Sequence, residues 1–216
     1  MTAGPAGVWA VVPVRSLAGG KTRLANDVSP TDRQALTTRM LRHVLRVVDA
    51  SGVAERIIVV SADDDALNAA GTAVSSVVPI LQREDRPGLN AALDLGREVA
   101  LRNGASSVLV LFADLPLLAV EDLHALVEVS AAHDVAIAAD RHGEGTNALL
   151  LDVTSAGKLF AFQFGSQSAP AHRREAARLG MRLGECHSVG LAFDLDTAQD
   201  LAHYAEQTKS MSPGDR

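Results

Sequence analysis

The segment that follows the first apolar run of the sequence combines cations with glycines. In PVRSLAGGKTRL, Arg15, Lys21 and Arg23 surround the pair Gly19 and Gly20. Glycines let backbone amides come close to a ligand, and three cations provide the charge that a polyphosphate requires. The tripeptide GKT is not part of a Walker A loop, because Arg15 stands where that motif needs a glycine. The segment therefore predicts a phosphate site of another kind, with a solvated basic turn as the alternative.

Three aspartates are placed to hold a divalent cation. Asp114 follows the strongly apolar run Ser107–Phe112, while Asp194 and Asp196 alternate in the segment FDLDT. Alternate side chains of an extended chain point the same way, and Mg²⁺ prefers carboxylate oxygens together with phosphate and water. The pattern predicts a magnesium site made of these three acids. The alternatives are a turn acid before a helix at Asp114, and a strand end with Asp196 as a helix cap.

Two further regions offer amides and hydroxyls to a ligand. RPGLNAAL places Gly88 and Asn90 at a predicted helix start, where free amides and the helix dipole favour an anion or a polar base. Taken alone, this segment is explained better as an ordinary helix start. GTNALL and FGSQSAPAH supply small residues that can surround a phosphate or a carboxylate, although either serine can instead be an N-cap. The residues concerned are Thr146, Gly165, Ser166 and Ser168.

Short apolar runs alternate with helical patterns along the chain. The runs predict buried strands at Val8–Val14, Arg56–Ser61, Val77–Leu81, Ser107–Phe112, Asp134–Ala139 and Asn147–Leu151. Apolar spacing and cap residues predict helices at about 31–50, 63–70, 89–103, 119–132, 169–180 and 197–207.

This alternation predicts an α/β protein, a three-layer α/β/α sandwich with a mostly parallel sheet. Neither a repeat nor a linker divides residues 1–216, so we expect a single domain, with loosely ordered tails at about 1–7 and 208–216. Ligands of such sheets bind at the carboxyl ends of the strands, where loops lead into helices. The loops that carry the candidate residues therefore belong at one edge of the sheet.

Composition argues against several classes of protein. The formal net charge of -6 and the aromatic content of 3% argue against nucleic-acid binding. No apolar stretch approaches the roughly 18 residues of a membrane span, and the start does not look like a signal peptide. The single cysteine, Cys186, excludes an internal disulfide and fits a reducing cytoplasm. The seven histidines form no metal-ligand pattern, and no Ser/His/Asp triad can be assembled.

Taken in order, PVRSLAGGKTRL, RPGLNAAL, ADLPLL, GTNALL, FGSQSAPAH and DLDT resemble the phosphoenolpyruvate or 2-phospho-L-lactate guanylyltransferase family of coenzyme F420 biosynthesis. The resemblance covers nearly the whole chain. The glycine–lysine loop and the strand-end acid are shared with sugar-nucleotide and molybdenum-cofactor nucleotidyltransferases, whereas FGSQSAPAH points to the F420 branch. The resemblance implies a fold of the nucleotide-diphospho-sugar transferase, or GT-A-like, type.

The resemblance also implies the reaction and the roles of the residues. The implied reaction is Mg²⁺-dependent transfer of GMP from GTP to phosphoenolpyruvate or 2-phospho-L-lactate, with release of pyrophosphate. The acceptor phosphate is already ionised at neutral pH, so positioning and electrostatics suffice without a general base. The implied roles are catalysis for Lys21, Arg15 and Asp114, metal binding for Asp114, Asp194 and Asp196, nucleotide binding for Gly20, Arg23, Gly88 and Asn90, and acceptor binding for Thr146, Gly165, Ser168 and Ser166.

The expected ligands are Mg²⁺, GTP and a small phosphorylated carboxylic acid, and 3-phosphoglycerate stays open as the acceptor. We expect a cytoplasmic protein that binds neither nucleic acid nor membrane. A second copy of the chain and a downstream F420-pathway transferase are candidate protein partners. Three other functions stay open: nucleotidyl transfer to a molybdenum cofactor, sugar transfer by a GT-A-type enzyme that uses Asp194 and Asp196, and nucleotide binding without catalysis.

Overall fold

A computed structural model describes residues 7–210. In that range seven strands form one sheet: β1 (Val8–Pro13), β2 (Arg56–Ser61), β3 (Val77–Leu81), β4 (Ser107–Leu111), β5 (Val135–Ala139), β6 (Thr146–Asp152) and β7 (Leu183–Glu185). The α-helices of the same range are α1 (Pro30–Ser51), α2 (Asp64–Gly71), α3 (Leu89–Arg102), α4 (Val120–Ser130), α5 (Ser168–Arg178), α6 (Val189–Ala192) and α7 (Ala198–Ser210). Short 3-10 turns lie at Thr22–Leu24 and Ala156–Leu159.

The sheet is mostly parallel, with one reversed strand. Its strand order is β3-β2-β1-β4-β6-β5-β7, and β1 to β4 run parallel. Strand β6 is antiparallel to both β4 and β5, with Leu111 opposite Ala148. Because of this reversal, the start of β6 lies beside the end of β4. Thr146 therefore reaches the sheet edge at which Asp114 follows β4.

Helices cover both faces of the sheet, as a three-layer sandwich requires. Alternate residues of β1 point to opposite faces. Val8, Ala10 and Val12 belong to a buried cluster that includes residues of α1, α2, α4 and α6. Val11 belongs to a second cluster, with residues of α3 and α5. Full burial of one such aliphatic side chain stabilises the fold by roughly 1.5–3 kcal/mol. The predicted fold class is confirmed.

Helix α1 shows how the sequence specifies one of these elements. Ser29 accepts a hydrogen bond from the backbone of Asp32 at 3.2 Å, and Pro30 opens the first turn. The helix ends at Ser51, and Gly52 caps it in a left-handed conformation with φ 64°. Its buried side chains recur at helical spacing: Leu36, Met40, Leu41, Val44, Leu45 and Val48.

Most predicted strands and helices lie close to their observed bounds, but two elements were missed. Strand β7 and helix α6 are too short to carry a periodic pattern. At the ends of the chain, residues 1–6 and 211–216 lie outside the described residues. Gly7 donates a backbone hydrogen bond to Glu55 at 2.7 Å, and residues 208–210 belong to α7. Within residues 7–210, none of the helices has the length and hydropathy needed to cross a membrane.

Candidate active site

The loop after β1 is held by an aspartate that sequence reasoning missed. Asp63, which follows β2 and caps α2, accepts the backbone N–H of Leu17 at 2.9 Å. Burial would raise the pKa of Asp63, but hydrogen bonds from Leu17, Ser16 and the start of α2 outweigh burial and lower it. Asp63 is therefore an ionised anchor for the loop that leads to Lys21. Its position two residues after a strand was the available signal.

Lys21 is the centre of the candidate site. Its side chain is only 7% exposed, and Nζ lies 2.7 Å from Asp114 Oδ2 and 2.8 Å from Asp196 Oδ1. Burial opposes the charge of the ammonium group, but Asp114 and Asp196 outweigh it and raise the pKa of Lys21. The group is therefore a fixed positive charge. Of the other predicted phosphate ligands, Arg23 lies 3.7 Å from Asp196, whereas Arg15 is exposed and Gly20 immediately precedes Lys21.

The predicted acids lie together at the carboxyl edge of the sheet. The backbone N–H of Leu195 donates to the carbonyl of Asp114 at 3.1 Å, which joins the segment from Asp194 to Asp196 to the end of β4. The pKa of Asp194 is raised by burial and by the negative charges of Asp114 and Asp196. Asp114 Oδ1 is buried and has no hydrogen-bond partner within the described residues.

These acids fit a cation that is shared with a ligand. Within residues 7–210, no group of three or more Asp, Glu, His or Cys side chains forms a ready metal site, and Lys21 stands between Asp114 and Asp196. Mg²⁺, however, is commonly held by one or two carboxylates and completed by phosphate oxygens and water. The unpartnered Asp114 Oδ1 and the unfavourable charge of Asp194 both suit a nearby cation. The predicted metal role of Asp114, Asp194 and Asp196 stays a prediction.

Asp196 does not cap the helix that follows it. Thr197 and Asp200 exchange the two hydrogen bonds of a capping box, at 3.2 and 2.8 Å. Asp200, which is buried, also accepts the N–H of Asp196 at 2.9 Å and pairs with Arg141. The cap of α7 is therefore provided by other residues, and the side chain of Asp196 is left to contact Lys21.

The four predicted acceptor residues lie around the start of β6 and the start of α5. Thr146 Oγ1 lies 3.0 Å from His172 Nδ1, and the backbone N–H of Ala169 donates to Glu144 at 3.0 Å. Thr146 and Ser168 are each about 1% exposed, while Gly165 and Ser166 are exposed. Gly165 has φ 134°, a conformation that side chains disfavour, so the turn requires a glycine there. The start of β6 at Thr146, here called the strand wall, thus adjoins the segment of residues 165–168, here called the loop wall.

Asn90 forms two backbone contacts that the sequence did not predict. Its amide donates to the carbonyl of Phe164 at 3.1 Å and accepts the N–H of Phe164 at 2.9 Å. Asn90 therefore holds the backbone just before Gly165, and its predicted contact with the nucleotide stays untested. Gly88 precedes α3 with φ 96° and is exposed, and its carbonyl accepts from Gln82 at 2.9 Å.

Comparison with known proteins assigns the fold and the family. The family described as guanylyl transferase CofC like matches residues 8–209. The chain belongs to this family. It is 39% identical to a phosphoenolpyruvate guanylyltransferase of Sphaerobacter thermophilus over 91% of each chain. It is 32% identical to a 2-phospho-L-lactate guanylyltransferase of Methanothermobacter thermautotrophicus, over 89% of this chain and 81% of the relative.

The fold is also shared with a solved structure of low sequence identity. A putative nucleotide-diphospho-sugar transferase from Desulfovibrio desulfuricans superposes with a TM-score of 0.74 at 16% identity, over 95% of this chain and 89% of that one. At such identity the likeness concerns the fold alone. Family membership, in contrast, supports guanylyl transfer and argues against sugar transfer.

Proposed function

We propose that this protein transfers GMP from GTP to phosphoenolpyruvate, with release of pyrophosphate, as a step of coenzyme F420 biosynthesis. The observation that carries the proposal is the buried Lys21 between Asp114 and Asp196, at the sheet edge where Thr146 begins β6 beside the end of β4. Fixed charges of this kind suit two anions that must be brought together. Family membership supports guanylyl transfer, and the name of the Sphaerobacter relative supports the acceptor.

The residues act by positioning and by charge. An oxygen of the acceptor phosphate attacks the α-phosphorus of GTP, and the bond from that phosphorus to the bridging oxygen breaks as pyrophosphate leaves. Lys21, with Arg15 and Arg23 on the same loop, stabilises the negative charge that grows on the leaving group. Thr146, Gly165, Ser166 and Ser168 hold the acceptor in line with that bond.

Magnesium is part of the proposal. Asp114, Asp194 and Asp196 would hold Mg²⁺, which supplies Lewis-acid stabilisation of phosphate charge when it is bound. Two observations support the fit of these aspartates to Mg²⁺: Asp114 Oδ1 has no hydrogen-bond partner among the described residues, and the pKa of Asp194 is raised. Removal of divalent cations with EDTA should abolish turnover, and added Mg²⁺ should restore it.

The acceptor, the location and the partners are also proposals. The second candidate acceptor is 2-phospho-L-lactate, which the name of the Methanothermobacter relative favours at lower identity. We place the protein in the cytoplasm, with a second copy of the chain and a downstream F420-pathway transferase as candidate partners. The exposed Leu81 on edge strand β3 is compatible with a homodimer.

The test is release of pyrophosphate in the presence of Mg²⁺ and GTP. Parallel reactions contain phosphoenolpyruvate, 2-phospho-L-lactate, 3-phosphoglycerate or no acceptor. We expect release that depends on phosphoenolpyruvate, with GTP preferred over ATP and CTP. Release only with another acceptor would correct the substrate, and silence from folded protein in every reaction would refute guanylyl transfer to this class of acceptor.

A further inference from the structure

His172 is fully buried on α5, and the mechanism described above gives it no part. Both of its ring nitrogens have partners. Nδ1 lies 3.0 Å from the hydroxyl of Thr146, and Nε2 lies 3.1 Å from the backbone nitrogen of Gln163. One partner belongs to the strand wall of the candidate acceptor site, and the other lies just before Gly165 in the loop wall.

These partners determine which nitrogen carries the proton. A backbone N–H can only donate, so Nε2 accepts from Gln163 and is unprotonated. Burial lowers the pKa of His172 to about 4, so the ring is neutral near pH 7. The remaining proton is therefore on Nδ1, which donates to Thr146 Oγ1.

This arrangement leaves the proton of the Thr146 hydroxyl free. Thr146 is about 1% exposed, and its hydroxyl forms no further hydrogen bond within residues 7–210. A buried donor without an acceptor is costly, by roughly 1–3 kcal/mol. An anionic oxygen of a bound phosphate or carboxylate would provide the missing acceptor.

The histidine ring is also fixed in place. It packs against Phe164 and Phe160, with ring centroids 4.6 and 5.8 Å away. Asn90 holds the backbone of Phe164 through two hydrogen bonds. A rigid ring therefore separates Thr146 from the residues that precede Gly165.

We propose that His172 is a positioning residue for the acceptor, which sets the spacing between Thr146 and the Gly165 loop and leaves the Thr146 hydroxyl free to donate to an anionic oxygen. The inference rests on the proposed function, because it takes Thr146 and Gly165 as acceptor contacts. It identifies the feature that the acceptor must offer there, which is a negatively charged oxygen and not a donor.

The test compares His172→Phe with Glu175→Met in the pyrophosphate assay. His172→Phe keeps the ring and removes both hydrogen bonds. Glu175 accepts the N–H of Ala161 at 2.9 Å, so Glu175→Met loosens the same segment without touching Thr146. We expect His172→Phe to raise the KM for the acceptor at least about tenfold, as the loss of one hydrogen bond would. The KM for GTP should change less than about twofold, and Glu175→Met should leave both KM values near wild type.

The outcomes separate this inference from the proposed function. A wild-type protein that is silent with every acceptor refutes the function, and the inference with it. An active wild type together with an unchanged acceptor KM in His172→Phe, or an equal rise in Glu175→Met, refutes the inference alone. If His172→Phe does not fold, ¹⁵N NMR of the wild-type protein can locate the proton of the His172 ring. We expect it on Nδ1 at pH 7, and a proton on Nε2 would contradict the proposal.

Discussion

Lys21 of the candidate site and Gln167, which lies between Ser166 and Ser168, have an unfavourable backbone conformation. Lys21 and Gln167 are the non-glycine residues with positive φ in the described part of the chain, at 54° and 58°. Such a conformation costs of order 1–3 kcal/mol and persists where the surroundings impose it. For Lys21 the surroundings are the ion pairs to Asp114 and Asp196. Strain of this kind is expected at sites in which a residue must be held for a ligand.

At the scale of single residues, Asp114→Asn tests the charge of the site. The amide keeps the size of the side chain but removes the charge that faces Lys21 and the proposed cation. We expect kcat to fall by at least about 100-fold while the protein stays folded. The measurement is turnover together with the circular dichroism spectrum. Glu128→Gln, an exposed change on α4, should leave kcat unaltered. Near-normal turnover of folded Asp114→Asn would show that the charge of Asp114 is not needed for the reaction.

At the scale of elements, the start of α7 fixes the loop that carries Asp194 and Asp196. Asp200 accepts two backbone N–H groups and pairs with Arg141, which also lies over the ring of Phe193, 5.2 Å from its centroid. One buried carboxylate thus connects the acidic loop to the loop before β6. Burial would raise the pKa of Asp200, but its hydrogen bonds outweigh burial and lower it, so the carboxylate is ionised.

The prediction for this element is that Asp200→Asn destabilises the protein by about 2 kcal/mol, because Arg141 loses its charged partner. For a chain of this size that corresponds to a lowering of Tm by about 5 °C. Urea and thermal unfolding measure both quantities. Glu206→Gln, an exposed change on the same helix, should have little effect. A stability equal to wild type in Asp200→Asn would show that the connection contributes nothing.

The sequence predicted the positions of these elements better than their connections. Six strands and six helices follow from apolar runs and caps such as Ser29, because these signals are local. The reversed direction of β6 was not predicted, since an apolar run does not reveal which way a strand enters the sheet. The contacts of Asn90 and His172 were missed for a related reason. Their partners, Phe164 and Thr146, are distant in sequence and meet only after folding.

At the scale of the whole molecule, His172 should make stability depend on pH. Its pKa is lowered from 6.5 to about 4 in the folded state, so between these values the unfolded chain binds the additional proton. The free energy of unfolding should therefore fall as the pH drops below 6.5, by up to about 2 kcal/mol between pH 7.5 and pH 5. Glu175 opposes part of this shift.

Urea unfolding at both pH values measures the effect. Burial also lowers the pKa of His43, which contributes with the same sign, so the decisive quantity is the difference between wild type and His172→Phe. We expect the pH dependence to be smaller in His172→Phe. His124→Gln, a change at an exposed histidine, should retain the wild-type dependence. An identical pH dependence in all three proteins would show that His172 titrates normally.

The reversed strand β6 divides the site along the chain. Arg15, Lys21 and Asp114 come before β6, through the parallel strands β1 and β4, and Asp194 and Asp196 come after α5. The proposed acceptor walls come later, between Thr146 and Ser168, where β6 brings the chain back to the same edge. A change between Thr146 and Ser168 can therefore alter the preferred acceptor while the residues proposed to bind the nucleotide and the metal stay unchanged. Such a division fits a family in which the names of the members specify different acceptors.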